Sequence, residues 1–134
     1  MTEQVIRFYE TGGPEVLKVE SQALAAPGPG EVRVGHRAVG LNFIDTYHRS
    51  GLYPVPLPSG LGLEASGVVE AVGEGVTRIA VGDRVAFGSG ALGAYASSSL
   101  RSEAQLLPIP QGVSDEAAAA IMLKGMTAAY LLTQ

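Results

Sequence analysis

The stretch that decides the fold runs from Gly62 to Phe87 and reads GLEASGVVEAVGEGVTRIAVGDRVAF. Two segments in it, Leu63–Gly73 and Asp83–Phe87, carry apolar residues between glycine-rich boundaries, which predicts two β-strands. Gly73–Val76 lies between them and has the composition of a turn. Gly67 interrupts the first strand at a position where a side chain would block the close approach of another backbone. The stretch therefore predicts a β-rich fold.

The residues on either side of this stretch add further short strands. The clearest is Glu31–Val39, in which apolar and polar residues alternate as in a half-buried strand. Together with the two strands above, we expect about seven short strands; the other candidates are Val5–Tyr9, Val16–Glu20, Ala94–Ser97 and Ala104–Leu107. Glycine and proline make up 18 and 8 residues of 134, and this enrichment argues against a helix bundle.

Two segments have helical spacing. Leu41–Gly51 is a short helix with Asn42 as its N-cap and Gly51 as its end, followed by a proline-stiffened extended connector, Tyr53–Gly62. A second helix follows the N-cap Ser114 and continues to the end of the chain, with a possible kink or break at Lys124 and Gly125. Because this last helix is apolar on nearly all sides, it needs partners on more than one face.

Composition excludes several classes of function. The chain has no cysteine, so it has neither disulfides nor cysteine-ligated metals, and its two histidines make a zinc site improbable. The net charge is −4 and no basic run exists, which argues against dedicated binding to nucleic acid or to an anionic membrane. No targeting peptide is evident, and the apolar segment Ala117–Leu132 is interrupted by polar residues, so we expect no membrane span.

One motif has the pattern of a nucleotide site but the wrong context. Gly88–Gly93 (GSGALG) matches the dinucleotide fingerprint G-x-G-x-x-G and follows a predicted strand. That fingerprint works only if a helix begins at its last glycine and presents its amide groups to the pyrophosphate. The next residues, AYASSS, favour a strand instead. We interpret Gly88–Gly93 as a glycine loop between strands.

The same residues resemble a known family. Gly62–Gly67 (GLEASG), the turn Gly73–Val76 (GEGV) and Gly82–Val85 (GDRV) are similar to the motifs of the medium-chain dehydrogenase/reductase superfamily, and the likeness covers essentially the whole chain. Three further stretches narrow it to the zinc-free quinone oxidoreductases related to zeta-crystallin: Leu41–Tyr53, Ala91–Tyr95 and Leu123–Tyr130. The resemblance implies a mostly β, chaperonin-10-like, partly open barrel with a short helix and a C-terminal bridging helix.

The chain departs from the zinc-dependent branch at three separated positions. By motif position, the catalytic zinc ligands of that branch fall on Asn42, Leu63 and Lys124, and the four-cysteine structural lobe is absent. Asn42 and Leu63 cannot replace those ligands, and Lys124 brings a positive charge to the place of the metal. The departures are consistent with a reaction that needs no metal, since quinone carbonyls are already electrophilic.

The resemblance implies an NADPH-dependent quinone reductase that is cytoplasmic and homodimeric as the parent protein. It implies that Tyr47 and Tyr53 face the active-site cleft as catalytic residues, where tyrosine hydroxyls could donate to a quinone oxygen. The residues it implies for the cofactor are Asn42, Phe43, Ile44, Asp45, Thr46, Lys124, Thr127 and Tyr130. No metal ligand is implied. The boundary is expected near residue 114, with a catalytic domain over 1–114 and the bridging helix over 115–134.

Each of these residues also has a structural interpretation. Tyr47, Tyr53, Thr127 and Tyr130 could be packing residues, and Asn42 could serve only as an N-cap. Asp45 and His48 are more often structural at such positions, and we expect Asp45 to pair with a nearby donor. Glu64, with no metal beside it, is hypothesised to form an ion pair with Lys124.

Other functions remain open at this stage. One is a structural or co-chaperone-like barrel module, and another is an enal or enoyl reductase of the same superfamily. The main NADPH-binding domain of the family, with the functional glycine fingerprint, is not in these 134 residues. We therefore expect the chain alone to be catalytically silent, and the choice between NADPH and NADH is not determined by it.

Overall fold

The computed structural model describes residues 1–133, which form eight β-strands, two α-helices and two short 3-10 turns. The strands are β1 (Thr2–Phe8), β2 (Lys18–Ala23), β3 (Glu31–Val39), β4 (Ser59–Gly60), β5 (Ala65–Val72), β6 (Arg84–Phe87), β7 (Ser98–Ser102) and β8 (Leu107–Pro108). The helices are α1 (Phe43–Ser50) and α2 (Asp115–Leu132).

The strands form two antiparallel sheets. The smaller has the order β2-β1-β4 and the larger has the order β7-β3-β5-β6-β8. The sheets meet where β1 runs beside the segment before β7: Val5 bridges to Ala96, and the Ile6 amide donates to the carbonyl of Tyr95 at 2.9 Å. The mostly β, partly open barrel that the resemblance implied is confirmed.

The core is formed by the inward-facing apolar residues that alternate with outward-facing residues along the strands. Val32 and Val34 on β3 have no exposed surface and point into the barrel, as the pattern of Glu31–Val39 predicted. They pack with a main cluster that also contains Ala65, Val69, Ile79, Val85, Phe87, Ala94 and Leu106. A second cluster of Phe8, Val16 and Leu61 lies under the smaller sheet. Together these two clusters stabilise the sheets that position the candidate site.

Gly67 brings β5 unusually close to β3. A Cβ atom at this position would overlap the carbonyl oxygen of Gly35 on the neighbouring strand. The register of the pair also shifts between His36 and Ala38, beside this contact. The interpretation of Gly67 as a point of close backbone approach is therefore confirmed.

The prediction of a strand over Ala94–Ser97 is wrong, because only Ala96 makes an isolated bridge, to Val5, and β7 begins at Ser98. Two further strand predictions need correction. Ala104–Leu107 is not a strand: Glu103–Gln105 forms a 3-10 turn, capped by the Ser102 side chain, and only Leu107–Pro108 pairs with β6. Val16–Glu20 is shifted, because Pro14 starts a 3-10 turn that ends at Val16 and β2 begins only at Lys18. Local side-chain capping and proline geometry decided both cases.

Helix α1 begins after Asn42 and ends at Gly51, as predicted, with Gly51 in the left-handed conformation at φ 88°. Helix α2 begins at the predicted N-cap, where the Ser114 side chain accepts a hydrogen bond from the Ala117 amide at 3.0 Å. It continues through Lys124 and Gly125 without the break that the sequence suggested. Within residues 1–133, neither helix combines the length and apolar character needed to cross a membrane.

Most of the apolar surface of α2 is uncovered in this chain. Only Ala118 and Ala119 are buried, where the helix lies on β3, β5 and β6. Large side chains farther along are exposed: Ile121, Met126, Tyr130, Leu131 and Leu132. The exposed face agrees with the expectation that this helix needs additional partners, while the boundary at residue 114 remains a prediction.

Candidate functional site

The candidate site is centred on Glu64, a carboxylate with no exposed surface directly before β5. One of its oxygens, Oε1, accepts a hydrogen bond from Asn42 Nδ2 at 2.8 Å. The other, Oε2, accepts from the Leu123 backbone amide at 2.7 Å. The Glu64 carbonyl also accepts from the Gly40 amide at 2.8 Å. Glu64 thus joins the start of α1, the start of β5 and the middle of α2.

Lys124 completes this cluster from α2. Its Nζ donates to Asn42 Oδ1 at 2.9 Å and lies 3.8 Å from Glu64 Oε1. The ion pair between Glu64 and Lys124 that the sequence suggested is therefore confirmed. The Lys124 side chain is more than half exposed while Glu64 is buried, so one end of the cluster is at the surface.

Gly40 makes room for this arrangement. A Cβ atom at residue 40 would overlap Glu64 Oε1 and approach the carbonyl oxygen of Ala119 closely. Leu63, the third position that corresponds to a zinc ligand, is half-buried and directly precedes Glu64 in the chain. Asn42 and Lys124 are thus in direct contact, whereas Leu63 joins them only through its neighbour.

Asp45 fixes the first turn of α1. Its Oδ2 accepts from the Asn42 backbone amide at 3.0 Å and from the Tyr95 hydroxyl at 2.6 Å, and its buried Oδ1 has no partner within residues 1–133. The pairing with a nearby donor that we expected for Asp45 is confirmed. Burial and this hydrogen bond raise the pKa of Tyr95, so Tyr95 stays a neutral donor.

Tyr47 and Tyr53 form an edge-to-face pair, with ring centroids 5.1 Å apart and planes at 60°. The Tyr53 amide donates to the Tyr47 carbonyl at 3.1 Å, which holds the connector against the end of α1. Neither hydroxyl makes a hydrogen bond to any residue in 1–133, so both can serve a ligand. His48 packs edge-on against Tyr53, and its buried Nδ1 has no partner among the described residues.

The other residues predicted for the cofactor differ in exposure. Phe43 is 82% exposed and Tyr130 is 64% exposed, which leaves two aromatic faces uncovered. Thr46 and Thr127 donate their hydroxyl protons within their own helices, to the carbonyls of Phe43 and Leu123. Ile44 is half-buried in α1. The residues from Asn42 to Thr46 share one helix start, and Thr127 and Tyr130 lie one and two turns beyond Lys124.

Sequence reasoning missed Tyr95 and Gly40 as parts of the site. Tyr95 lies in the stretch Ala91–Tyr95 that supported the family resemblance, but its partner Asp45 is 50 residues away in the chain. Gly40 follows a strand and reads as an ordinary strand end. No local pattern identifies either contact, because the Tyr95 contact depends on how the segment before β7 meets α1, and the Gly40 contact depends on how α2 and the residue before β5 meet.

The donor set of the site does not suit a metal. Among residues 1–133, no group of three or more His, Cys, Asp or Glu side chains is close enough to hold a metal ion. Glu64 is the only such side chain in the cluster with Asn42 and Lys124, and its two oxygens already accept hydrogen bonds. An ammonium group would compete with any cation bound there. The absence of a metal in the reaction remains a prediction.

Comparison with curated proteins finds similar chains among oxidoreductases. A quinone oxidoreductase from Pseudomonas aeruginosa is 59% identical over 130 residues, which is 96% of this chain and 40% of that protein. A 2-haloacrylate reductase from a Burkholderia species is 44% identical over 134 residues, 95% of this chain and 40% of that protein. The chain therefore spans about 40% of the length of these relatives.

Among solved structures, the Escherichia coli quinone oxidoreductase complexed with NADPH superimposes with a TM-score of 0.96 at 49% identity. The match covers 98% of this chain and 40% of that one. The alcohol dehydrogenase GroES-like domain matches residues 28–132, which include both helices and the whole cluster around Glu64. These findings confirm the resemblance drawn from the motifs, and the chain belongs to the alcohol dehydrogenase GroES-like domain family.

Proposed function

We propose that this chain is the substrate-side domain of an NADPH-dependent quinone oxidoreductase that transfers hydride without a metal. The observation that carries the proposal is the cluster of Asn42, Glu64 and Lys124, in which an amide and an ammonium group occupy positions that hold zinc ligands in the zinc-dependent branch. The printed names of the relatives, quinone oxidoreductases and an NADPH complex, support the same assignment.

The residues present fit a nicotinamide cofactor. Lys124 and Asn42 offer polar hydrogen-bonding groups at the surface end of the cluster, and Phe43 and Tyr130 offer exposed aromatic faces nearby in the chain. A bound NADPH would supply the hydride. The role of the chain is to hold the nicotinamide end of that cofactor with the residues from Asn42 to Thr46 and with Lys124, Thr127 and Tyr130.

Tyr47 and Tyr53 are the proposed catalytic residues. A quinone oxygen gains negative charge as hydride adds to the ring, and a phenolic O–H aimed at that oxygen stabilises the charge. Both hydroxyls are free of partners within residues 1–133, and the edge-to-face pair gives a flat substrate an aromatic wall. The parent protein is proposed to act as a cytoplasmic homodimer that binds neither nucleic acid nor membrane.

A chimera tests the proposal. Residues 1–134 of this chain, joined to the remaining length of the Pseudomonas aeruginosa relative, should oxidise NADPH with 1,4-benzoquinone as acceptor. Tyr53→Phe and Tyr47→Phe should each lower kcat by about 10-fold or more, since a single charge-stabilising donor contributes on the order of 10²–10³ at best. The matched control is Tyr9→Phe, which removes a hydroxyl that pairs with Glu20 at the far side of the smaller sheet.

A folded chimera without quinone-dependent oxidation would refute the proposal. Unchanged kcat in both tyrosine variants would refute the roles assigned to Tyr47 and Tyr53. A second candidate, reduction of an activated carbon–carbon double bond, is favoured by the relative named 2-haloacrylate reductase. The same chimera discriminates the two, because a higher kcat/KM with 2-chloroacrylate than with benzoquinone would select the second.

A further inference from the structure

A cavity lies away from the cluster around Glu64, between β1, β7 and the glycine loop Gly88–Gly93. Its volume is about 320 Å³. Two cationic side chains and one anionic side chain line it: Arg7, Arg101 and Glu3. Aliphatic residues, among them Ile6, Leu92 and Leu100, share the rest of its walls with neutral polar side chains such as Gln22, Ser98 and Ser99. The lining is therefore mixed, with an aliphatic part, a neutral polar part and three charged groups.

Arg101 is the unusual feature of this cavity, because it is only 3% exposed and pairs with no carboxylate in residues 1–133. Its Nε donates to Ser99 Oγ at 3.0 Å, and its Nη1 donates to the Ala91 carbonyl. The guanidinium also lies over the Phe87 ring, 4.1 Å from its centroid. These contacts use part of the hydrogen-bonding capacity of the guanidinium, but both hydrogen-bond acceptors are neutral.

One nitrogen of this guanidinium remains available. Nη2 donates no hydrogen bond to any described residue, and it faces Gly93, whose missing side chain leaves space beside it. Burial lowers the pKa of Arg101 to about 10, so the group still carries its charge at neutral pH. A buried charge without a counterion is costly in a folded protein, and an anion that enters the cavity would remove this cost.

The other charged groups in the cavity are already occupied. Arg7 donates to Gln22 at 2.5 Å and forms an ion pair with Glu20 at 3.8 Å, and Glu3 accepts from Gln22 at 2.7 Å and from Ser98. Glu3 also disfavours a doubly charged ligand such as phosphate, because the lining then has too little positive charge to balance it. The size lies at the lower end of the range for small-molecule pockets, about 300–1,000 Å³.

We propose that this cavity binds a short aliphatic monocarboxylate, with the carboxylate on Arg101 and the alkyl chain against Ile6, Leu92 and Leu100. The site is independent of the proposed oxidoreductase activity, since none of its residues belongs to the cluster around Glu64 or to the tyrosine pair. The commitment to a monocarboxylate follows from the buried Arg101 guanidinium without a carboxylate partner in residues 1–133, from the aliphatic part of the lining and from the small volume.

Isothermal titration calorimetry of the 134-residue chain with sodium butyrate at constant ionic strength tests the proposal. We expect one saturable site in the unmodified chain and no binding of butyramide, which has the same shape without the charge. Arg101→Gln should weaken butyrate binding at least 10-fold. Arg37→Gln is the matched control, because it removes an equal charge from an exposed position outside the cavity and should leave binding unchanged.

Since Arg101 is buried, its replacement could unfold the chain, and a second variant avoids that ambiguity. Ala25 is exposed at the rim of the cavity, so Ala25→Trp should block entry while circular dichroism stays native. Loss of binding in this variant supports the proposal. The proposal is overturned if the unmodified chain shows no saturable heat with butyrate, if butyramide binds equally, or if Ala25→Trp binds as well as the unmodified chain.

Discussion

Glu64 is a single residue on which three elements depend. Its carboxylate has no exposed surface and accepts charge-assisted hydrogen bonds from Asn42 and from the Leu123 amide, while the partly exposed Lys124 adds a weaker, solvent-screened attraction. The side chains of this cluster neutralise and hydrogen-bond one another.

Glu64→Gln should destabilise the chain by about 2–3 kcal/mol, because a glutamine amide cannot accept at both positions and leaves a buried donor unpaired. Urea denaturation at pH 7 measures the change. Glu70→Gln is the control. Glu70 is exposed in its pair with Arg33, so this substitution should lower the free energy of unfolding by less than about 1 kcal/mol. Equal losses in the two variants would contradict the role given to Glu64.

His36 is a second residue whose environment makes a prediction. Its Nδ1 lies 2.8 Å from the Ala96 carbonyl, which can only accept, so Nδ1 carries the proton and Nε2 accepts from Ser99 Oγ at 2.8 Å. Burial, and to a lesser degree the charge of Arg101, lower the pKa of His36 below its usual value. The ring is therefore neutral in the folded chain at pH 7.

Because the unfolded chain binds this proton more readily, His36 makes the folded state less stable as the pH falls below about 6.5. We expect the free energy of unfolding to decrease between pH 7.5 and pH 5.5, as measured by urea denaturation. The decrease should be smaller in His36→Gln, which cannot titrate. A pH dependence that is identical in His36→Gln and the unmodified chain would show that other groups are responsible.

At the scale of elements, glycine has opposite effects in a strand and in a helix of this chain. Gly67 lies where β5 touches the backbone of β3, whereas Gly125 is exposed in the middle of α2 with open space beside it. Gly67→Ala should destabilise the chain by about 1–3 kcal/mol through overpacking. Gly125→Ala should stabilise it by about 0.5–1 kcal/mol, because alanine restricts the unfolded chain and favours the helix.

Thermal unfolding followed by circular dichroism compares the two substitutions directly, and each is the control for the other. The Tm should fall for Gly67→Ala and rise for Gly125→Ala. A rise for Gly67→Ala would mean that β3 and β5 can separate without cost. A fall for Gly125→Ala would mean that α2 is distorted at Lys124 and Gly125, where the sequence suggested a kink but the helix is continuous.

At the scale of the whole molecule, residues 1–133 hold the cluster around Glu64, but their dinucleotide-like motif is not followed by a helix. The glycine loop Gly88–Gly93 leads into Ala96, which bridges to Val5, and then into β7, so no helix begins at its last glycine to bind a diphosphate. The interpretation of this motif as a plain loop is confirmed. The large exposed side chains of α2 also indicate that this domain normally packs against other residues.

We therefore expect the 134-residue chain alone to oxidise NADPH with 1,4-benzoquinone at no more than a small fraction of the rate of the chimera described above. Absorbance at the NADPH band measures both under identical conditions. The physical reason is that much of the binding energy for the cofactor comes from its diphosphate and ribose, which need the glycine fingerprint and helix of a separate domain. Turnover near that of the chimera would contradict this expectation.

The sequence by itself determined the elements whose signals are local. Alternation in Glu31–Val39, the caps Asn42, Gly51 and Ser114, and the crowded approach at Gly67 all follow from spacing and backbone freedom, and the structure has each of them. The lack of cysteine and the family motif in Gly62–Val85 could also be recognised from the sequence alone. Local signals misled the strand predictions at Val16–Glu20, Ala94–Ser97 and Ala104–Leu107, where a proline-led 3-10 turn, an isolated bridge and a capped 3-10 turn are found.

Only the tertiary structure decided which distant side chains meet. Asp45 and Tyr95 are 50 positions apart, Glu64 and the Leu123 amide are 59 apart, and Arg101 is buried without a carboxylate partner. Hydrogen bonds and ion pairs act over a few ångströms, whereas the chain brings such residues together only through the packing of two sheets and two helices. Periodicity can therefore predict the elements, but the chemistry of the site depends on their arrangement in space.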